Sequence, residues 1–209
     1  MRRLNVFFYA ILGGLAIGLG GVVFLSCDNK VVGALFFSIG LVTILTNGLN
    51  LYTGKICYIF DKDLPYLIDV GIIWLGNLVG TVGVGLLVNM TRFSPALNEK
   101  AAGIVMAKMS DGLLSIFILA IFCNILMFIG VDGYNRNPHE FGKYLAPVFA
   151  VVVFILSGFE HCIANMVYFT FAKAWSANTF LYLIVMTLGN AVGGVTIPLF
   201  RKLKENTDK

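Results

Sequence analysis

Apolar residues run along this chain in blocks of about 20, the length of helix needed to cross the hydrocarbon core of a bilayer. Six such blocks are expected, at approximately 4–26, 31–60, 66–90, 112–131, 144–172 and 179–200. Two of them, 31–60 and 144–172, are some 30 residues long, more than a crossing helix requires. Each is interrupted by a polar, glycine-bearing stretch, "TNGLNLYTG" at 46–54 and "SGFEHCIAN" at 157–165. Non-helical backbone at membrane depth is tolerated where protein buries it or where it lines a watery cavity. The second and fifth blocks are therefore expected to be discontinuous helices. Glu160 and His161 lie in the broken part of the fifth, with Gly158 and Asn165 flanking them and Gly54 at the corresponding break in the second.

A second regularity links the halves. "LGNLVGTV" at 75–82 recurs as "LGNAVGGV" at 188–195, six matches in eight at a separation of 113 residues. The copies fall in the third and sixth blocks. Three spans per half force the halves to insert in opposite directions, so the expected architecture is an inverted 3+3 repeat, about 1–100 and 101–200, within one transmembrane transport domain over 1–209. Residues 201–209 are expected to form a cytoplasmic tail. Gly76/Gly80 and Gly189/Gly193 are GxxxG pairs that allow helix backbones to approach closely. Paired interrupted segments in two inverted halves point to a midplane transport site.

Composition agrees. Apolar residues make up 58% and charged residues 12% of 209, against roughly 25% charged in soluble domains. An all-α membrane protein is the class that fits. Met1-Arg2-Arg3 resembles a signal-peptide n-region, but the following apolar stretch is too long for an h-region, and a retained first helix is expected. With the N-terminus inside, ten Lys and Arg fall on the cytoplasmic side and five outside, so both termini are expected in the cytoplasm. The net charge of +4 is then mostly a topology signal and not a nucleic-acid footprint. Four cysteines, at 27, 57, 123 and 162, have no metal-ligand spacing and give no disulfide framework. Residues 132–143, with His139, read as a solvated loop.

These motifs, taken in order, resemble the formate/nitrite transporter family. "GFEHCIANM" is similar to its most specific stretch, "NLYTG" to its broken second helix, and the paired "LGNxVG" segments to its third and sixth helices. "CNILMF", with Lys108 sixteen residues before Asn124, fits as well. The resemblance covers essentially the whole chain. It implies an aquaporin-like six-helix protomer, usually a pentamer with one pore per protomer, in the bacterial inner membrane, and no cofactor or enzymatic activity. The implied cargo is a small monovalent anion, with formate preferred over nitrite or hydrosulfide. Position by position, the resemblance implies a pore-centre His161 near Thr53. It also implies constriction residues at Phe37, Leu41 and Phe154, and anion-attracting or orienting residues at Lys108, Asn124 and Asn190. Three features depart from the family pattern. Only Met1–Arg3 precede the first span, where the family begins with an amphipathic cytoplasmic helix. Asn50 stands where an acid is common, and the family's proline after "ANM" is replaced near Thr170.

An ionisable residue within a span is a functional-site hypothesis by default, and histidine titrates near neutrality. A bare anion at the bilayer centre costs several kcal/mol. A lysine about 8 Å away at an effective dielectric of about 20 returns only roughly 2 kcal/mol. Lys108 could thus concentrate anions at the outer mouth, while passage through an apolar ring needs a wet pore or a proton. His161 is the candidate relay for that proton. Glu160 is expected to serve a structural pairing with backbone or an adjacent protomer, and Asn77 and Asn190 could equally be interhelical hydrogen-bond glue. Two rival readings are a neutral-solute pore of the aquaglyceroporin type, which lacks its Asn-Pro-Ala pairs here, and a membrane redox protein. Bis-imidazole haem ligation would need two histidines within spans, and only His161 qualifies.

Overall fold

The computed structural model describes residues 1–207, and every regular element among them is helical. Four helices are long and apolar enough to cross a membrane: α1 (Arg2–Ser26), α5 (Pro65–Asn89), α7 (Leu113–Arg136) and α10 (Ala177–Thr207). The remaining helices are α2 (Lys30–Phe37), α3 (Ile39–Thr46), α4 (Tyr52–Lys55), α6 (Ser94–Met109), α8 (Glu140–Leu156) and α9 (Cys162–Phe171). A 3₁₀ segment, Ile56–Asp61, extends α4.

The long helices pair in parallel. The start of α1 meets the start of α5 through Arg2 and Asp69, 2.7 Å apart, and Gly18 faces Val84 further along. The other pair is α7 and α10, held at one end by Arg201 and Asp132, 2.9 Å apart. Glycine makes the close approach possible. A Cβ on Gly80 would lie 2.1 Å from the Ile11 carbonyl oxygen, and one on Gly193 would lie 2.1 Å from that of Ile121.

Both expected breaks are present. Lys30–Thr46 is an almost continuous apolar helix, tightened at Ser38, whose hydroxyl donates to the Leu35 carbonyl. It stops at Asn47, and α4 resumes at Tyr52. In the other half α8 stops at Ser157 and α9 resumes at Cys162. The two breaks match at a constant offset of 110 residues. Gly48 and Gly158 both take left-handed backbone, with φ of 62° and 71°, a region that strongly favours glycine. The Leu49 amide donates to Ile44 and the Phe159 amide to Phe154. The Asn50 amide donates to Tyr9 and the Glu160 amide to Leu119.

Three regions differ from the sequence expectations. Helix α6 is unannounced, because its mixed composition lacks a crossing-length apolar run. The stretch 132–143 is loop only around residues 137–139, since α7 continues to Arg136 and α8 begins at Glu140. Asp132 stabilises that last turn through Arg136 at i+4 and through Arg201. The expected tail at 201–209 is helical through Thr207, and residues 208–209 lie outside the described residues.

Candidate functional site

At each break the chain exposes backbone groups that no helix can satisfy, and in a buried environment those groups need partners. One asparagine serves each break. Asn77 of α5 donates to the carbonyls of Ala10 and Asn50, at 2.7 and 2.8 Å, and accepts from the Tyr52 amide at 2.8 Å. Asn190 of α10 donates to the carbonyls of Ala120 and Glu160, both at 2.8 Å, and accepts from the Cys162 amide at 2.9 Å. Both side chains are fully buried. The "LGN" repeat therefore supplies one clamp per half, each gripping the first helix of its half and both sides of the break. Asn190's three hydrogen bonds all go to backbone. Asn124 also serves the frame: its amide donates to the carbonyls of Thr53, at 3.1 Å, and Asn190, at 2.6 Å.

The two breaks bring His161 and Thr53 together. His161 ends the second break as the N-cap of α9, and its Nδ1 accepts from the Ala164 amide at 3.2 Å. Thr53 sits just after the first break, in α4, with its Oγ1 3.1 Å from His161 Nε2. Because Nδ1 accepts a hydrogen bond, a neutral ring carries its proton on Nε2 and donates it to Thr53 Oγ1. The imidazole stacks on Phe154, ring centroids 5.4 Å apart at 22°. Phe154 meets Phe37 edge-on at 6.3 Å. Leu41 lies one helical turn beyond Phe37, and all four side chains are buried. The expected relay pair and constriction residues thus form one contiguous stack.

A cavity approaches this stack from each end. The first, of about 350 Å³, reaches Phe154, His161, Lys108, Glu160 and Asn165. The second, of about 300 Å³, reaches Leu41, Leu51 and Gly54 and is also lined by Lys55, Tyr58 and Tyr66. Helix α7 measures their separation, since Ile116 lines the first and Val131 the second. At about 1.5 Å per residue that is roughly 22 Å. The arrangement is an hourglass whose waist is the ring stack.

In the first vestibule Lys108 is not a free cation. Its Nζ lies 2.6 Å from Glu160 Oε2, with 13% and 3% of the two side chains exposed. Asn165 Nδ2 donates to the same carboxylate oxygen at 2.8 Å and to the His161 carbonyl at 3.0 Å. Glu160 therefore has a partner from α6, 52 residues away, that no sequence spacing announces. Asn77, Lys55 and the two vestibule tyrosines were not singled out as site residues. The constant offset between the breaks would have pointed to Asn77 as the counterpart of Asn190.

A family model described as "Formate/nitrite transporter" matches residues 1–201. The probable formate transporter of Methanothermobacter thermautotrophicus is 31% identical, over 79% of this chain and 71% of its own length. The nitrite transporter NirC of Escherichia coli is 28% identical, over 88% and 76%. Among solved structures, a pentameric formate channel with formate bound superposes with a TM-score of 0.81 at 25% identity, covering 98% of each chain.

Proposed function

This chain belongs to the formate/nitrite transporter family of membrane channels, and from that premise we propose that it passes small monovalent anions, formate foremost, in a proton-linked manner through the waist at His161. Nitrite and hydrosulfide are the next candidates. The observation that carries this reading is the meeting of the breaks: an imidazole and a hydroxyl share a hydrogen bond where two vestibules end on opposite sides of one aromatic stack.

The chemistry follows from the cost of desolvation. An anion entering the first vestibule keeps water until it meets Phe154, where the path narrows to rings and aliphatic carbon. His161 Nε2–H is the donor at that point, once the anion displaces Thr53 as its acceptor. For the anion to leave as neutral acid the ring must be resupplied. A proton from vestibule water enters at Nδ1, releasing the Ala164 amide, while the Nε2 proton departs to the anion. The net change is hydronium plus anion giving water plus acid, and water exchange returns the ring to its resting tautomer. The neutral acid then crosses Phe37 and Leu41 at far lower cost than the ion.

The scaffold for this is six spans in two inverted halves, with the second and fifth broken. The 110-residue offset of matching hydrogen bonds and the twin asparagine clamps support that reading. A pentamer with one pore per protomer follows from the similarity to the pentameric formate channel, and an inner-membrane location with both termini inside follows from the lysine and arginine distribution. The test is flux of formate, nitrite and hydrosulfide side by side in proteoliposomes across pH. Formate is expected to be fastest, with a rate that rises as pH falls. Glycerol swelling without any anion flux would favour a neutral-solute pore and overturn the reading.

Within this mechanism Lys108 and Glu160 brace the second break and leave the first mouth nearly neutral. Breaking a buried ion pair leaves one charge uncompensated, typically at a cost of 3–5 kcal/mol. Here vestibule water reaches both groups, so about 2 kcal/mol is expected for Lys108→Met. Thermal unfolding in detergent should show Lys108→Met destabilised and Lys108→Met with Glu160→Gln largely restored. A single variant as stable as the parent would rule out the brace.

A further inference from the structure

The two vestibules differ in charge. The first is lined by two lysines, Lys30 and Lys108, and two acids, Asp111 and Glu160. Asp111 caps the start of α7, accepting from the Gly112 amide and the Ser115 hydroxyl. The second is lined by Lys55 and Lys62 and, among the described residues, by no acid. Nor does either lysine make an ion pair with a described residue. The nearby carboxylates are engaged elsewhere: Asp61 lies 3.8 Å from Lys202, and Asp132 is held by Arg136 and Arg201. Lys55 is partly buried, on the short helix that also carries Thr53, so its charge sits beside the waist and not out at the rim. Tyr66 fixes that helix by donating its hydroxyl to the Lys55 carbonyl at 3.0 Å. Tyr58 and Asn135 add hydrogen-bonding groups to the wall.

We infer that the second vestibule is an anion-binding site built on Lys55, with Lys62 in support, and that it makes the pore asymmetric in affinity. An unpaired ammonium in a low-dielectric recess focuses field and raises local anion concentration. Its counterpart Lys108 has that field cancelled by Glu160. At about 30 Å³ per water, the cavity has room for a small carboxylate or oxyanion with part of its hydration shell. Entry from the Lys55 side therefore saturates at lower anion concentration than entry from the Lys108 side. Both chain ends lie on the Lys55 side, where Arg2 meets Asp69 at the start of α5 and Lys202 meets the Phe60 carbonyl. The inference rests on the anion-channel reading and adds the site and the direction of the asymmetry.

Formate uptake is measured in inside-out and right-side-out membrane vesicles as a function of concentration. The half-saturating concentration is expected to be lower in the vesicles that expose the chain ends. Lys55→Gln should raise it about three- to tenfold on that face alone, and Lys55→Arg should leave it close to the parent value. An equal effect on both faces, or none, overturns the inference. Binding of ¹³C-formate to detergent-purified protein, followed by line broadening, separates this from failure of the channel reading. A parent that binds formate through Lys55 but passes none keeps the site and removes the channel function. Unchanged binding in Lys55→Gln removes the site even where flux is normal.

Discussion

Replacing His161 with alanine is expected to cut acid-linked formate flux about a hundredfold, the low end of what loss of a positioned proton donor costs, and to flatten its rise at low pH. The imidazole does three things at once. It caps α9 through Nδ1, donates through Nε2 to Thr53, and stacks on Phe154. Alanine removes the donor and leaves the Ala164 amide unmet. Asparagine can still cap the helix but cannot take a proton in at one atom and release another elsewhere. His161→Asn thus separates structure from relay. It should keep most of the thermal stability that alanine loses, yet pass formate as slowly and with the same flat pH profile. The sign follows from the proton being a co-substrate: in the parent the flux rises as pH falls, and in both variants it does not. Stopped-flow uptake with an internal pH dye reads anion and proton together. Parent-like rate and pH dependence in His161→Asn would show that the ring only shapes the waist.

Much of this was legible because a membrane leaves few options. A chain that must satisfy its own backbone at depth announces each exception by polar residues inside an apolar run, and "TNGLNLYTG" and "SGFEHCIAN" are such exceptions. The contact between His161 and Thr53 was reached only through family resemblance, since nothing local links positions 108 residues apart. The Lys108–Glu160 pair and the second vestibule were hidden for a related reason. Which side chains share a cavity depends on how α4, α6 and α9 pack, and α6 leaves no apolar signature at all. The repeat was visible in the third and sixth spans, where glycine and asparagine are both demanded, and invisible in the first two spans of each half. There the matching is of hydrogen bonds, Asn50 to Tyr9 against Glu160 to Leu119, which constrain backbone and not residue type. Asn50 standing opposite Glu160 is the consequence: one break is braced by a salt bridge, and the other by the Asn50 amide donating to the Val6 carbonyl at 3.2 Å.

The twin clamps make the second large prediction. Asn190→Ala would leave two carbonyls and one amide in the protein interior without partners. An unsatisfied buried group costs about 1–3 kcal/mol, while interhelical hydrogen bonds in membranes average about 0.6 kcal/mol because the unfolded state finds substitutes. Between these limits a loss of about 3 kcal/mol is expected for Asn190→Ala, and the same for Asn77→Ala. The more telling expectation is where each variant loosens. Asn190 grips Glu160 and Cys162, and Asn77 grips Asn50 and Tyr52. Hydrogen exchange followed by mass spectrometry should therefore show faster exchange at 157–166 in the first variant and at 46–54 in the second. Crossover should be small, because the breaks touch mainly through His161 and Thr53. Both variants should nonetheless lose formate flux, since displacing either end of that single hydrogen bond misplaces the donor. Loosening spread evenly over both breaks, or confined to the wrong one, would mean that the two halves are not independently clamped, and the hourglass would then owe its waist to something other than these asparagines.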